Sequence, residues 1–232
     1  MSVLTKRQKL LNEQIDWSKK YTASEAVRLL KSLPPLKFKE TVDAQVCLGV
    51  DPKKNDEVVR GSIVLPHGTG RNARVLVFAQ SEAADAAKAA GADQVGSEVL
   101  VEEIKSSKVV DFDVVIATPD MMPIVSKLGK ILGPRGLMPN PKVGTVSADP
   151  VEAVKRAKAG QVVYKTDRAG IVACPIGKID FSEDALVENL MALMTALKKA
   201  KPVQSKGVYL KRLFLSTTMG PGLMVDFSTL AF

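Results

Sequence analysis

The sequence predicts two domains: a split, two-layer α+β domain made from both chain ends, residues 1–67 with 161–232, and an inserted α/β, Rossmann-like domain over residues 68–160. Three observations predict it. Apolar residues alternate with period two near both ends, the pattern of half-buried strands. Through the middle, short apolar strands alternate with helical segments, the pattern of a mostly parallel sheet between helices. Charge changes at nearly the same borders. Of the formal net charge of +8, residues 1–67 (12 basic, 8 acidic) and 161–232 (9 basic, 6 acidic) together carry +7. The middle is uneven, with 5 basic and 9 acidic residues over 68–120 against 7 and 2 over 121–160.

The first strong element opens at Thr22, where Thr22-Ala23-Ser24-Glu25 has capping-box spacing. Val27, Leu30 and Leu33 continue it as an amphipathic helix, stopped by Pro34-Pro35. Val42, Ala44, Val46, Leu48 and Val50 then alternate with Thr41, Asp43, Gln45, Cys47 and Gly49, giving a strand with one buried face. A second strand over residues 63–65 ends at the breaker Pro66-His67-Gly68-Thr69-Gly70. Beyond it come a buried strand at 75–79, an Ala-rich helix over 81–90 ended by Gly91, a short strand at Val95 and a helix over 98–106. A strand over 112–117 and helices over 119–127 and 149–159 complete the middle. Strands resume at 162–165 and 171–176, joined by the turn Asp167-Arg168-Ala169-Gly170. A long helix opens at Ser182, with Glu183 and Asp184 in its first turn and Leu186, Leu190, Leu193, Met194 and Leu197 on one face. Strands at 208–215 and 223–227 finish the chain.

These residues speak against catalysis. The single His67 lies in a Pro-Gly loop, and Cys47 and Cys174 belong to no close-spaced pair, so neither a metal site nor a His-based nucleophile relay is expected. Two reduced thiols and the lack of an apolar span of roughly 18 residues point to a reducing, cytoplasmic setting without a membrane anchor. Gly68-Thr69-Gly70-Arg71-Asn72-Ala73 fits the loose dinucleotide pattern, but a strand follows it where that pattern needs a helix. Asp111 and Asp113 are best read as solvated acids at a strand end. No cofactor and no small-molecule substrate is implied.

The basic ends instead point to a polyanion, and three loops stand out. Residues 128–145 (LGKILGPRGLMPNPKVGT) hold four glycines, three prolines, Lys130, Arg135 and Lys142, an irregular segment that is either a long solvated connection or a basic loop against nucleic acid. Ser216-Thr217-Thr218-Met219-Gly220-Pro221-Gly222 offers hydroxyls and glycine-exposed amides to ribose and phosphate, with the Thr218 hydroxyl expected to be solvated when no RNA is bound, and Met219 to a sugar or base. Lys37-Phe38-Lys39 sets an aromatic between two cations just before a strand, where Phe38 caps the core or faces a partner. Aromatics make up only 5% of the chain, which disfavours a stacking platform for single strands and favours folded RNA read by shape, ribose and phosphate.

Four segments, ETVDAQVCLGVDPKKNDEVVRGSIVLPHGTGR, DFDVVIATPDMM, KLGKILGPRGLMPNPKVGTV and LSTTMGPG, carry a resemblance. In order and spacing, across about residues 5–226, the chain resembles the bacterial large-subunit ribosomal protein L-one family. The resemblance implies a non-enzymatic protein that binds large-subunit ribosomal RNA through the domain made from both ends. It also implies a mobile stalk beside the tRNA exit site, assistance to release of deacylated tRNA, and repression of its own operon through a messenger site that mimics the ribosomal one. Off the ribosome such a protein is expected to be a cytoplasmic monomer. The residues that match the family's RNA contacts are Phe38, Thr41, Asp167, Arg168, Thr218, Met219 and Gly220, with Lys37 and Ser216 as additions. Many relatives carry a histidine where this chain has Ala173, so no contact through that side chain is expected here.

Overall fold

The computed structural model describes residues 6–34, 36–107, 111–205 and 207–230. Two compact units result, Met1–Gly70 with Val162–Phe232, and Arg71–Gln161.

The terminal unit starts with α1 (Lys6–Gln14), a helix that the mostly polar sequence does not announce, fixed by burial of Leu11 and of Ile15 just beyond it. In α2 (Ala23–Ser32) the capping box is present in full, Thr22 Oγ1 accepting from Glu25 N–H and Glu25 answering to Thr22 N–H. Ala23, Ala26, Val27 and Leu30 form its buried face. Pro35, half of the expected stop signal, lies outside the described residues. β1 (Thr41–Leu48) buries Val42, Ala44, Val46 and Leu48 in strict alternation. β2 (Arg60–Val64) comes next, earlier and longer than the expected 63–65, because it is paired in a two-stranded sheet with a strand from the chain's second half.

The middle unit contains β3 (Val75–Phe78), α3 (Ser81–Ala89), β4 (Gln94–Gly96), α4 (Glu98–Ser107) and β5 (Val114–Ala117), followed by short turns of helix and α7 (Pro150–Lys158). Its parallel sheet has the order β4-β3-β5 and is buried on both faces. Leu76, Phe78, Val115 and Ala117 face one apolar cluster, while Val75, Val77 and Ile116 face another with Ala87, Ala153, Val154 and Ala157. The helix expected over 119–127 breaks up around Pro119 and Pro123 into a 3-10 turn (Pro119–Met121), α5 (Met122–Val125) and a second 3-10 turn (Ser126–Leu128). The expected irregular loop over 128–145 is also corrected. It contains α6 (Gly129–Leu132) and a 3-10 turn (Pro141–Val143), and Leu128, Leu132 and Val143 are buried. One turn apart, Leu128 and Leu132 face the same way and join the cluster of Phe78, Met121 and Val125.

The chain then returns to the terminal unit with β6 (Gln161–Lys165), the partner of β2, and with β7 (Ile171–Lys178), α8 (Glu183–Lys199), β8 (Leu210–Thr217) and β9 (Leu223–Val225). The main sheet has the order β7-β1-β8-β9, antiparallel throughout. α2 and α8 pack on one face, and the α8 stripe Leu186, Leu190, Leu193, Met194 and Leu197 is wholly buried, as its spacing requires. On the other face, cross-strand register lines up Ala173, Gln45, Phe214 and Met224 in one row, with Asp43 and Ser216 in the next. Gln45, Ala173 and Arg212 are exposed there. The sheet is therefore clad by helices on one side and open on the other.

Candidate nucleic-acid interface

One end of the open sheet gathers most of the sequence candidates. Pairing places Thr41 beside Lys178 and Val42 beside Thr217, so the start of β1, the end of β7 and the end of β8 meet. Thr41 N–H donates to Thr218 Oγ1 at 3.1 Å, the Thr218 hydroxyl donates back to Thr41 O at 3.5 Å, and Lys178 Nζ donates to Thr41 Oγ1 at 2.7 Å. Thr218 is exposed, as expected for the free chain, and its hydroxyl is also bonded to the neighbouring strand. Ser216 lies opposite Asp43 on the open face. Burial pushes the Asp43 carboxyl above its ordinary value, and the charge of Lys178 acts against that rise.

The 218–222 turn is fixed from below. Glu40 is only 5% exposed, and its Oε1 accepts from Met219 N–H at 2.9 Å. The Glu40 carbonyl accepts from Ile179 N–H at 3.1 Å, while Lys39 pairs with Asp180 at 2.6 Å. Gly220 N–H donates to Thr217 O at 3.1 Å, and a Cβ on Gly220 would stand 2.1 Å from Thr217 Oγ1, so a side chain there would force Thr217 to shift. Against this frame two large apolar side chains stay out of the core: Phe38 is 53% exposed and Met219 61%. Lys37 is exposed beside Phe38. Phe38 therefore faces outward instead of capping the core.

Asp167 and Arg168 do not join this group. Their turn precedes Ile171, which pairs with Cys47, and Gly170 O accepts from Leu48 N–H at 2.9 Å. That is the other end of β1, roughly 20 Å from Thr41 at ~3.3 Å per strand residue. Asp167 Oδ1 accepts from Ala169 N–H (2.8 Å) and Ile171 N–H (2.9 Å), which makes the carboxylate the internal brace of the turn and leaves Arg168 exposed at its tip. Sequence reasoning missed Glu40 and Lys178. Lys178 is 137 residues from Thr41, and only the strand pairing joins them.

Among the described residues, little else could do chemistry. His67 Nε2 lies 2.6 Å from Glu188 Oε2, and its backbone N–H donates to Asn189 Oδ1 at 3.1 Å. Gly68 and Gly70 both have positive φ, and β3, not a helix, comes next. Among the described residues no group of three or more His, Cys, Asp or Glu is placed to hold a metal. Nor is any described helix long and apolar enough to cross a membrane.

Comparison with known proteins identifies the lineage. The family described as Ribosomal protein L1p/L10e matches residues 29–221. This chain belongs to that family. Among its relatives, the large ribosomal subunit protein uL1 of Alkalilimnicola ehrlichii is 60% identical over 230 residues, covering 99% of both chains. The proteins of the same name from Cellvibrio japonicus and Thioalkalivibrio sulfidiphilus are each 59% identical over 231 residues, covering 100% of both chains. The family is one of ribosomal proteins and not of enzymes.

Proposed function

We propose that the protein is a cytoplasmic component of the large ribosomal subunit that binds large-subunit ribosomal RNA through its terminal unit, acting as a single chain. At the ribosome it forms the mobile stalk beside the tRNA exit site and assists release of deacylated tRNA. The same surface binds a messenger site of its own operon and represses translation. One observation carries this reading. Phe38 and Met219, two large apolar side chains, are held outside the core on a hydrogen-bonded frame beside Lys37, Lys178 and the hydroxyls of Thr41 and Ser216. Leaving apolar area in water is unfavourable by about 25 cal/mol per Å2. A folded RNA that covers both side chains with sugar and base edges recovers that energy, while the cations meet phosphate. Phosphate-led binding also makes affinity fall with salt.

The test uses the full chain and a folded fragment of large-subunit RNA. Phe38→Ala with Met219→Ala should weaken binding at least about tenfold, the equivalent of ~1.4 kcal/mol or more, with the melting temperature of the free protein almost unchanged because neither side chain is buried. Unaltered affinity would remove this surface from the interface.

A further inference from the structure

At the far end of the open sheet, Lys20, Lys211 and Arg212 converge on a hollow of about 300 Å3, lined also by Met224, Asp226 and Phe227. The topology explains the convergence. Tyr21 is bridged to Val225, with Tyr21 N–H donating to Met224 O at 2.9 Å and Asp226 N–H to Tyr21 O at 2.9 Å, and this draws Lys20 against the end of β9. Arg212 lies two rows from Ser216 on the same open face, since Ser216, Phe214 and Arg212 alternate with the buried Leu215 and Leu213.

Among the described residues, none of these three cations has a carboxylate within 4 Å. The one carboxylate in the hollow, Asp226, accepts from Ser228 N–H at 3.0 Å and Ser228 Oγ at 2.7 Å and also feels the charge of Lys20. Three cations facing one occupied carboxylate leave the hollow with a net positive charge. A solvated surface usually intersperses its charges, and elsewhere in this chain Lys39, Lys54 and Lys158 each have a carboxylate within 4 Å.

We propose that this hollow is a second RNA contact, one that takes phosphodiester groups of the same RNA whose other part covers Phe38 and Met219. The inference rests on the RNA-binding function proposed above. From Ser216 to Arg212 the strand rises about 13 Å at ~3.3 Å per residue, so an RNA lying along the open face spans both sites. It also gives a neighbour to Arg168, whose turn lies at this same end because Ile171 and Arg212 both pair with Cys47. The chain thus offers RNA two sites joined by a sheet face: an apolar and hydroxyl-rich one that fixes position, and a cationic one that meets backbone charge.

Salt dependence separates the two. Log affinity for the folded RNA fragment is measured against log salt concentration for the full chain, for Lys20→Gln/Lys211→Gln/Arg212→Gln, and for Lys88→Gln/Lys105→Gln/Lys155→Gln, a middle-unit control with the same charge change. Every phosphate that is no longer neutralised should reduce the slope by about 0.7–0.9. The first triple variant should therefore show a slope shallower by the equivalent of about one to two phosphates, while the control keeps the original slope. Phe38→Ala should lower affinity with its slope intact. The single variant Lys211→Gln, together with a melting curve for each protein, guards against misfolding. Equal slopes for the first triple variant and the unmutated chain would overturn the proposal and leave the RNA-binding reading standing. So would a hollow that binds inorganic phosphate while the RNA slope stays unchanged, since it would then be a small-anion site. No RNA binding by the unmutated chain would overturn both.

Discussion

Replacing Glu40 tests whether a buried carboxylate beneath the 218–222 turn helps RNA binding or hinders it. Electrostatics alone says it hinders. A carboxylate about 10 Å from a phosphate in water repels it by ~0.4 kcal/mol, so deleting the charge should tighten binding by no more than about twofold. The geometry says the opposite. Glu40 Oε1 accepts from Met219 N–H at 2.9 Å, and a hydrogen bond to a charged group contributes about 1.5–3 kcal/mol. Without that energy in the turn, the population of open conformers rises by a factor of roughly 10 to 150, and affinity falls in proportion to the fraction no longer competent. The Gly220–Thr217 and Thr218–Thr41 bonds resist opening, so a loss of about three- to tenfold is expected for Glu40→Ala. Glu40→Gln keeps an acceptor oxygen in place and should stay within about threefold of the unmutated chain. Fluorescence anisotropy with the folded RNA fragment measures affinity, and hydrogen exchange at the Met219 amide reports the turn directly. If Glu40→Ala bound as tightly as the unmutated chain, or tighter, with Met219 protection unchanged, the carboxylate would be a bystander and this account of the turn would fail.

Asn189 is fully buried; its Oδ1 accepts from His67 N–H, and its Nδ2 donates to Gly68 O (3.1 Å) and Ile176 O (2.8 Å). Asn189→Leu leaves these groups without partners and should cost about 2–4 kcal/mol in a urea titration, with a loss under ~1 kcal/mol showing that water replaces the amide. Burial pushes the Cys174 thiol up to about 12, whereas Cys47 is half-buried. In the native chain a thiolate-directed reagent at mildly alkaline pH should modify Cys47 well before Cys174, and equal rates would contradict the burial of Cys174.

Local signals were legible wherever neighbours in sequence are neighbours in space. The period of two over residues 41–48 and the α8 stripe depend on geometry within one element, and burial follows both. So does the Thr22 capping box. Composition misled where a few apolar residues outweigh many breakers. Glycine and proline over 128–145 suggested an irregular surface loop, but Leu128, Leu132 and Val143 are enough to fold that segment onto the core. The Thr218 hydroxyl looked like a free ribose contact because its partner, Thr41, is 177 residues away. Long-range strand pairing assembles the candidate interface, and a single sequence carries no local trace of it.

Acidic residues within a surface proposed to bind a polyanion look like a contradiction, and their hydrogen bonds resolve it. Glu40 accepts from Met219 N–H, Asp167 from Ala169 and Ile171 N–H, and Asp226 from Ser228 N–H. In each case a carboxylate stabilises a turn by satisfying backbone donors. Ser228 holds the Asp226 carboxyl below its ordinary value, so that brace stays charged at neutral pH. For the buried Glu40 that bond contributes more, about 1.5–3 kcal/mol, than the ~0.4 kcal/mol of repulsion that a fixed negative charge exerts on a phosphate 10 Å off. The cations, by contrast, point outward: Lys37, Arg168, Lys20, Lys211 and Arg212 are all exposed. Net charge counts the two kinds equally and so understates what an RNA would meet, because these carboxylates are turned to backbone N–H groups while the cations project into solvent.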